Sequence, residues 1–237
     1  MKTFNTTGVV LREYETGECD KRLSLLCKEH GRINIYARGA RKPKSKFLAG
    51  AQLFTYGEYT IADGGTFFSL TQAAPLAQYP PAGGYDGLRW GQYLLEICEK
   101  ALPERTPCDD TLQLVLQALY FLKQGDLPFQ QVGQVFLFRF LLNNGLAPHV
   151  NGTCTRCGNG FALHFTDEGL LCHHCKTTWH KDVFVPSPAT LQAIKHVLNQ
   201  PLKQAFLFRL PATALEEFDR AARLCWRGHF QMPLVSV

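Results

Sequence analysis

The stretch Gly31-Arg32-Ile33-Asn34-Ile35-Tyr36-Ala37-Arg38-Gly39-Ala40-Arg41-Lys42-Pro43-Lys44-Ser45-Lys46 changes character midway. Its first half sets Ile33 and Ile35 against Asn34 and Tyr36, the two-residue period of a strand buried on one face. Its second half puts Arg38, Arg41, Lys42, Lys44 and Lys46, five cations, into nine residues without an acid. Gly39 and Pro43 stop the strand: proline lacks the N–H that a ladder needs, and glycine favours a turn. A half-buried strand therefore runs into an exposed basic loop.

Strand-like segments surround it. Residues 9–15, 21–28, 53–62 and 66–70 carry short apolar alternations, separated by turns at Thr16-Gly17, Glu29-His30-Gly31 and Asp63-Gly64-Gly65. Five short strands without a long helix among them predict a small closed barrel, for which the OB-fold is the commonest five-stranded answer. An SH3-like barrel is the competing architecture. The Pro/Gly-rich segment Pro75-Leu76-Ala77-Gln78-Tyr79-Pro80-Pro81-Ala82-Gly83-Gly84 ends this region. The period then becomes helical. Helices are expected over 88–101, from Asp109 or Asp110 to Gly125, over 128–143, from a Ser187 cap to about 199, and from a Thr213/Glu216 capping box to about 227. The third is apolar on most sides, the mark of a central bundle helix.

Between the third and fourth helices lies Cys154-Thr155-Arg156-Cys157 and, after a fourteen-residue spacer, Cys172-His173-His174-Cys175. Two Cys-x-x-Cys pairs offer four thiolates to one tetrahedral ion, and Zn²⁺ accepts that set without geometric strain. Within the spacer, Phe161, Leu163 and Phe165 alternate before a turn at Asp167-Glu168-Gly169, the plan of a zinc ribbon. Redox dithiols, disulfides and replacement of one thiolate by His164, His173, His174 or His180 are the competing readings. A full Cys₄ set leaves no open position, so the site is structural rather than catalytic. The whole is expected to be a multi-domain α+β chain. Residues 1–78 form the OB-fold and 79–150 the first part of a helical bundle. Residues 151–180 form the inserted C4 ribbon, and 181–237 complete the bundle.

Net charge is +5 over 237 residues, and the basic run alone contributes five cations. The excess is thus one patch, as phosphate binding requires. A basic loop is often only a solvated cluster. Here the run holds no acid, and the barrel offers Tyr36, Phe47, Phe54, Tyr56 and Tyr59 as possible platforms for bases. Arg139 is the other conspicuous charge, set inside Phe136-Leu137-Phe138-Arg139-Phe140-Leu141-Leu142. A guanidinium there needs a partner such as Glu96, or rims an apolar groove suited to an acidic peptide tail. No signal-peptide core and no window of about eighteen uncharged apolar residues is present, so a soluble, cytoplasmic protein without a membrane role is expected. Nine cysteines, five of them scattered, fit a reducing compartment.

On the Val9-Val10-Leu11 strand, the Gly31 turn, the Ala37–Ser45 run, the sequence around Phe136 to Gly145 and the cysteine quartet, the chain resembles the RecO family of bacterial recombination-repair proteins over nearly its whole length. That resemblance implies an OB-fold, a helical domain and a C4 zinc ribbon. It implies a nucleoid-associated mediator, not an enzyme, that binds single- and double-stranded DNA and anneals complementary strands. It also implies contact with the acidic tail of single-stranded DNA-binding protein, and help, with RecR, in loading RecA. Arg38, Arg41, Lys42, Lys44 and Lys46 match the family's basic loop, and Cys154, Cys157, Cys172 and Cys175 its zinc ligands. Arg139 matches no family motif. The alternative is a zinc-ribbon nucleic-acid enzyme, a nuclease or RNA-modifying protein, which would need clustered carboxylates or an activated nucleophile.

Overall fold

The computed structural model describes residues 2–161, 163–176 and 182–230. The chain divides after Asp126 into two compact units. In the first, β1 (Lys2–Thr16), β2 (Asp20–Cys27), β3 (Gly31–Ala37), β4 (Thr55–Asp63) and β5 (Phe68–Gln78) close into a barrel in the order β1-β2-β3-β5-β4. Neighbours are antiparallel except β3 and β5, which run parallel and pair only at Ile35↔Phe68 and Tyr36↔Ser69. This is the five-stranded Greek-key closure of an OB-fold.

β1 begins at Lys2, well before the apolar alternation at Val9. Its polar first half pairs with β4 and its second half with β2, so one long strand serves both sides of the barrel. A bulge between Val10 and Arg12 adds the bend that this double duty requires. Gly8 stands opposite Gly57 on β4. A Cβ on Gly8 would lie 2.6 Å from the Leu26 carbonyl oxygen, and one on Gly57 2.7 Å from that of Ala74. The strands pass too closely there for any side chain.

Val10, Leu23, Leu25, Ile33, Ile35, Tyr59, Ile61 and Leu70 fill the barrel. The loop after β3 joins them, because Ala40, Phe47 and Ala51 are buried in the same core. Tyr59 Oη donates to the Gly50 carbonyl at 3.0 Å. The basic segment is thus exposed on its charged side only; its apolar side is a plug. α1 (Gly84–Ala101) and α2 (Asp109–Gln124) belong to this unit. Glu99 of α1 takes both Arg12, at 3.1 Å, and the Tyr14 hydroxyl of β1. Asp109 does not cap α2, whose N-cap is Cys108; its carboxylate accepts the Glu29 amide at 2.9 Å.

In the second unit, α3 (Phe129–Asn143) is buried nearly all round, with Val132, Val135, Phe136, Phe138, Phe140 and Leu141 shielded from solvent. α4 (Pro188–Asn199), the short α5 (Leu202–Ala205) and α6 (Ala212–His229) complete the helices. Buried Gln131 on α3 is fully engaged, donating to the Phe208 carbonyl and accepting from the Leu210 amide. Ser187 caps α4 with Pro188 at the first position, as read from the sequence. The Thr213/Glu216 capping box does not form. α6 starts two residues earlier, behind Pro211, and Glu217 instead accepts the Ser187 amide at 2.9 Å and the Thr190 hydroxyl at 2.7 Å. One helix thereby supplies the carboxylate that caps another. No helix among the described residues is long and apolar enough to cross a membrane.

Candidate nucleic-acid face and candidate metal centre

The basic loop is a series of tight turns. Backbone bonds run from Ala40 to Ala37, Lys42 to Gly39, Ser45 to Lys42 and Leu48 to Ser45. Gly39, at φ 69°, occupies a left-handed conformation that side chains resist. Its amide donates to the Asp20 carboxylate at 2.7 Å, and the Arg41 amide donates to the Cys19 carbonyl at 2.9 Å. The loop is therefore stitched to the β1–β2 turn as well as plugged into the core. Arg38, Arg41, Lys42, Lys44 and Lys46 are all exposed. A fixed backbone presenting cationic side chains reduces the ordering cost of binding a polyanion.

The run itself holds no acid, yet the fold brings one to it. Glu15 of β1 pairs with Arg41 at 3.0 Å. That carboxylate lies two strands away in sequence and reaches the loop only because the β1–β2 turn folds against it. Of the five aromatics considered as platforms, Phe47, Phe54 and Tyr59 are buried. Tyr36 and Tyr56 keep partial exposure. Beside the loop lies an open cleft of about 350 Å³. Thr16, Gly17 and Asp20 of the β1–β2 turn, Tyr36 and Arg38 of the β3 end, and Phe67 of the β4–β5 turn line it. Phe67 was missed in the sequence. The signal was there: in Phe67-Phe68 consecutive residues point to opposite faces, and only Phe68 packs on the core.

Arg139 does not pair with Glu96. Its Nη1 donates to the carbonyls of Val197, at 2.9 Å, and Gln200, at 3.0 Å, at the C-terminal end of α4. A cation on the last carbonyls of a helix is stabilised by the orphan acceptors and the dipole. Glu96 pairs with Lys100 instead. Burial lowers the Arg139 pKa, and Nε is buried without a partner among the described residues. Arg139→Ala is expected to cost roughly 2 kcal/mol by loss of charged hydrogen bonds. Urea denaturation measures this, and an unchanged midpoint would show that the cap is dispensable.

In the second unit β6 (Leu163–Thr166) and β7 (Gly169–Cys172) form the ribbon hairpin. The Sγ atoms of Cys154, Cys157, Cys172 and Cys175 all lie within 4.8 Å of one another, with Cys157 and Cys172 at 3.6 Å. Tetrahedral thiolates with metal–sulfur bonds of about 2.3 Å stand roughly 3.8 Å apart, so the quartet fits such an ion. No histidine belongs to the group among the described residues; His180 lies outside them. Each knuckle is a turn closed on its first cysteine: Gly158 donates to Cys154, and Cys175 and Lys176 donate to Cys172. At Cys154 burial, which raises the pKa, is outweighed by donors from Cys172, Cys157 and Arg156, holding it to about 6. Hydrogen bonds with Cys157 and Cys172 push Cys175 up to about 12.

Arg156 forks onto Glu168 at 3.1 and 2.6 Å, tying the first knuckle to the hairpin turn. This charge is thus already paired. Phe165 and Leu170 are buried, and the Phe165 amide donates to the Phe184 carbonyl. The hairpin leans on its own unit as well as on the cysteines.

An OB barrel with a pinned cationic loop in one unit, and helices with a four-cysteine ribbon in the other, make this an α+β protein of two compact units. The sequence model described as "Recombination protein O N terminal" matches residues 1–79, and "Recombination protein O C terminal" matches residues 84–237. The chain belongs to the RecO family of DNA repair proteins. The DNA repair protein RecO of Acetivibrio thermocellus is 28% identical over 94% of this chain and 90% of its own length. Those of Alkaliphilus metalliredigens and Exiguobacterium sibiricum are 30% and 35% identical over 73% and 70% of this chain, covering 72% and 67% of theirs.

Proposed function

We propose that the protein is a non-catalytic recombination mediator that binds single- and double-stranded DNA through the loop bearing Arg38, Arg41, Lys42, Lys44 and Lys46. The observation that carries this reading is the loop's construction: five exposed cations on a backbone held by Ala40, Phe47 and Ala51 in the barrel core. Annealing needs no covalent step. It needs phosphate charge neutralised so that two strands approach, and an array of fixed cations supplies that. The acids that an enzyme would cluster serve the fold instead, Asp109 on the Glu29 amide and Glu217 on the start of α4. The deciding experiment is strand annealing without nucleotide or added metal, beside a degradation control. Annealing without product loss is expected; metal-dependent cleavage would overturn the reading in favour of an enzyme.

The pairing of Glu15 with Arg41 makes a gain-of-affinity test possible. Glu15→Gln frees a guanidinium for phosphate and is expected to tighten oligonucleotide binding a few-fold at low salt, with the advantage fading as salt rises. Equal affinity at about 0.05 M salt would mean that Arg41 does not contact DNA.

The family relationship extends the reading to RecR, RecA loading and the acidic tail of single-stranded DNA-binding protein, in the cytoplasm and on the nucleoid. Arg139 keeps partial exposure and is bonded to carbonyls rather than to a carboxylate, so it is proposed as the contact for that acidic tail. In the stability-tested Arg139→Ala protein, affinity for an acidic C-terminal peptide is expected to fall while DNA binding stays; equal peptide affinity would remove Arg139 from the role. The quartet Cys154, Cys157, Cys172 and Cys175 is proposed to hold one structural Zn²⁺.

A further inference from the structure

We infer that Tyr36 and Phe67 form a stacking platform for unpaired bases, so that the barrel distinguishes single strands from duplex beside a loop that does not. This deepens the reading of the basic loop as a DNA site and rests on it. Phe67 is 59% exposed, yet it is not a lone surface ring: its centroid lies 5.6 Å from that of Tyr36 with the planes at 88°. The β4–β5 turn that carries it is fixed, since the Gly64 amide donates to the Phe67 carbonyl at 3.0 Å and Gly65 to the Asp63 carboxylate at 2.8 Å. An apolar ring is thus held in water by a set backbone, against an edge-on neighbour.

Two clefts share this pair. One is the cleft of the basic loop, where Arg38 stands beside both rings. The other, of about 200 Å³, again includes Tyr36 and Phe67 and adds Arg22 and Arg105. The acids at their rims are engaged: Asp20 accepts the Gly39 amide, and Glu104 takes Asn34 at 2.6 Å and Arg32 at 3.3 Å. Cations therefore line both clefts that share the aromatic pair. Phosphates are drawn to Arg22, Arg38 and Arg105, and a base between them meets a ring face.

Stacking requires a free base face. In a duplex both faces are covered by neighbouring pairs, so the platform contributes only to single strands, and without reading sequence. During annealing such a base must leave the ring before it pairs, which keeps the hold on single strands reversible.

The test compares three probes of equal length on the full chain: a thymidine oligonucleotide, an abasic phosphate–sugar chain and a duplex. Phe67→Ala is expected to weaken the thymidine strand about tenfold while changing the other two less than about twofold. Phe67→Trp should restore the affinity, with indole fluorescence quenched by the thymidine strand and unaffected by the abasic one. Equal affinities of Phe67→Ala and the parent for thymidine would overturn the platform and leave the loop reading standing, as would a uniform loss on all three probes. Failure of the parent chain to bind any probe would overturn both.

Discussion

Replacing Arg41, Lys42 and Lys44 together by alanine is expected to lower single-strand affinity roughly a hundredfold at about 0.1 M salt, and to flatten the logarithmic salt dependence by about two units. Each phosphate contact contributes about 0.7 to that slope on single strands, so three contacts give both figures. The ion pair of Arg41 with Glu15 trims the loss slightly, since an exposed pair contributes at most about 1 kcal/mol. Folding should not change. The substituted side chains are exposed, and the loop is fixed by Ala40, Phe47 and Ala51 and by backbone bonds that alanine also makes. Titrations by anisotropy at several salt concentrations measure the slope directly. A weaker affinity with an unaltered slope would mean that the cations shape the loop rather than touch phosphate.

Loss of the metal should have the larger effect on the fold, and it should be confined. Structural zinc sites contribute about 10–16 kcal/mol in small peptides, whereas the cysteine cluster here has little more than Leu171 and half-buried Leu163 for a core. Cys154→Ser, or chelation, is expected to abolish zinc stoichiometry and to raise amide exchange across β6 and β7 toward that of an unfolded chain. Phe165 and Leu170 temper the collapse, because they are buried and the Phe165 amide is bonded to Phe184. The barrel should keep its melting transition and its affinity for DNA. Zinc retained at full stoichiometry by Cys154→Ser would remove that thiolate from the site. Abolished DNA binding with the hairpin still protected would make the ribbon a contact surface.

The barrel was legible because alternation survives in β3 and in β4, where Thr55, Gly57, Tyr59 and Ile61 all turn inward. The metal centre was legible because its ligands are local: each knuckle is set by spacing alone. Other features escaped because they depend on contacts between distant segments. Phe47 carries no period, since it sits in a loop that turns back into the core. Phe54 is buried from a left-handed position, at φ 64°, where alternation gives no guidance. Arg139 found carbonyls rather than a carboxylate, because a helix end 58 residues further along arrives beside it. The Thr213 capping box yielded to Pro211, which caps the helix two residues earlier. In each case the local residues were read correctly for the segment taken alone, and packing then chose a different partner.

The short parallel join between β3 and β5 has a consequence for exchange kinetics. With two residue pairs against the longer ladders of the other strands, it is the place where the barrel should breathe first, and its amides should exchange fastest among the strands. Tyr36 lies on one side of that join and Phe67 immediately before the other. A strand of DNA seated on both rings would act as a splint across it, so bound oligonucleotide should slow exchange at Phe68 and Ser69 in proportion to its occupancy.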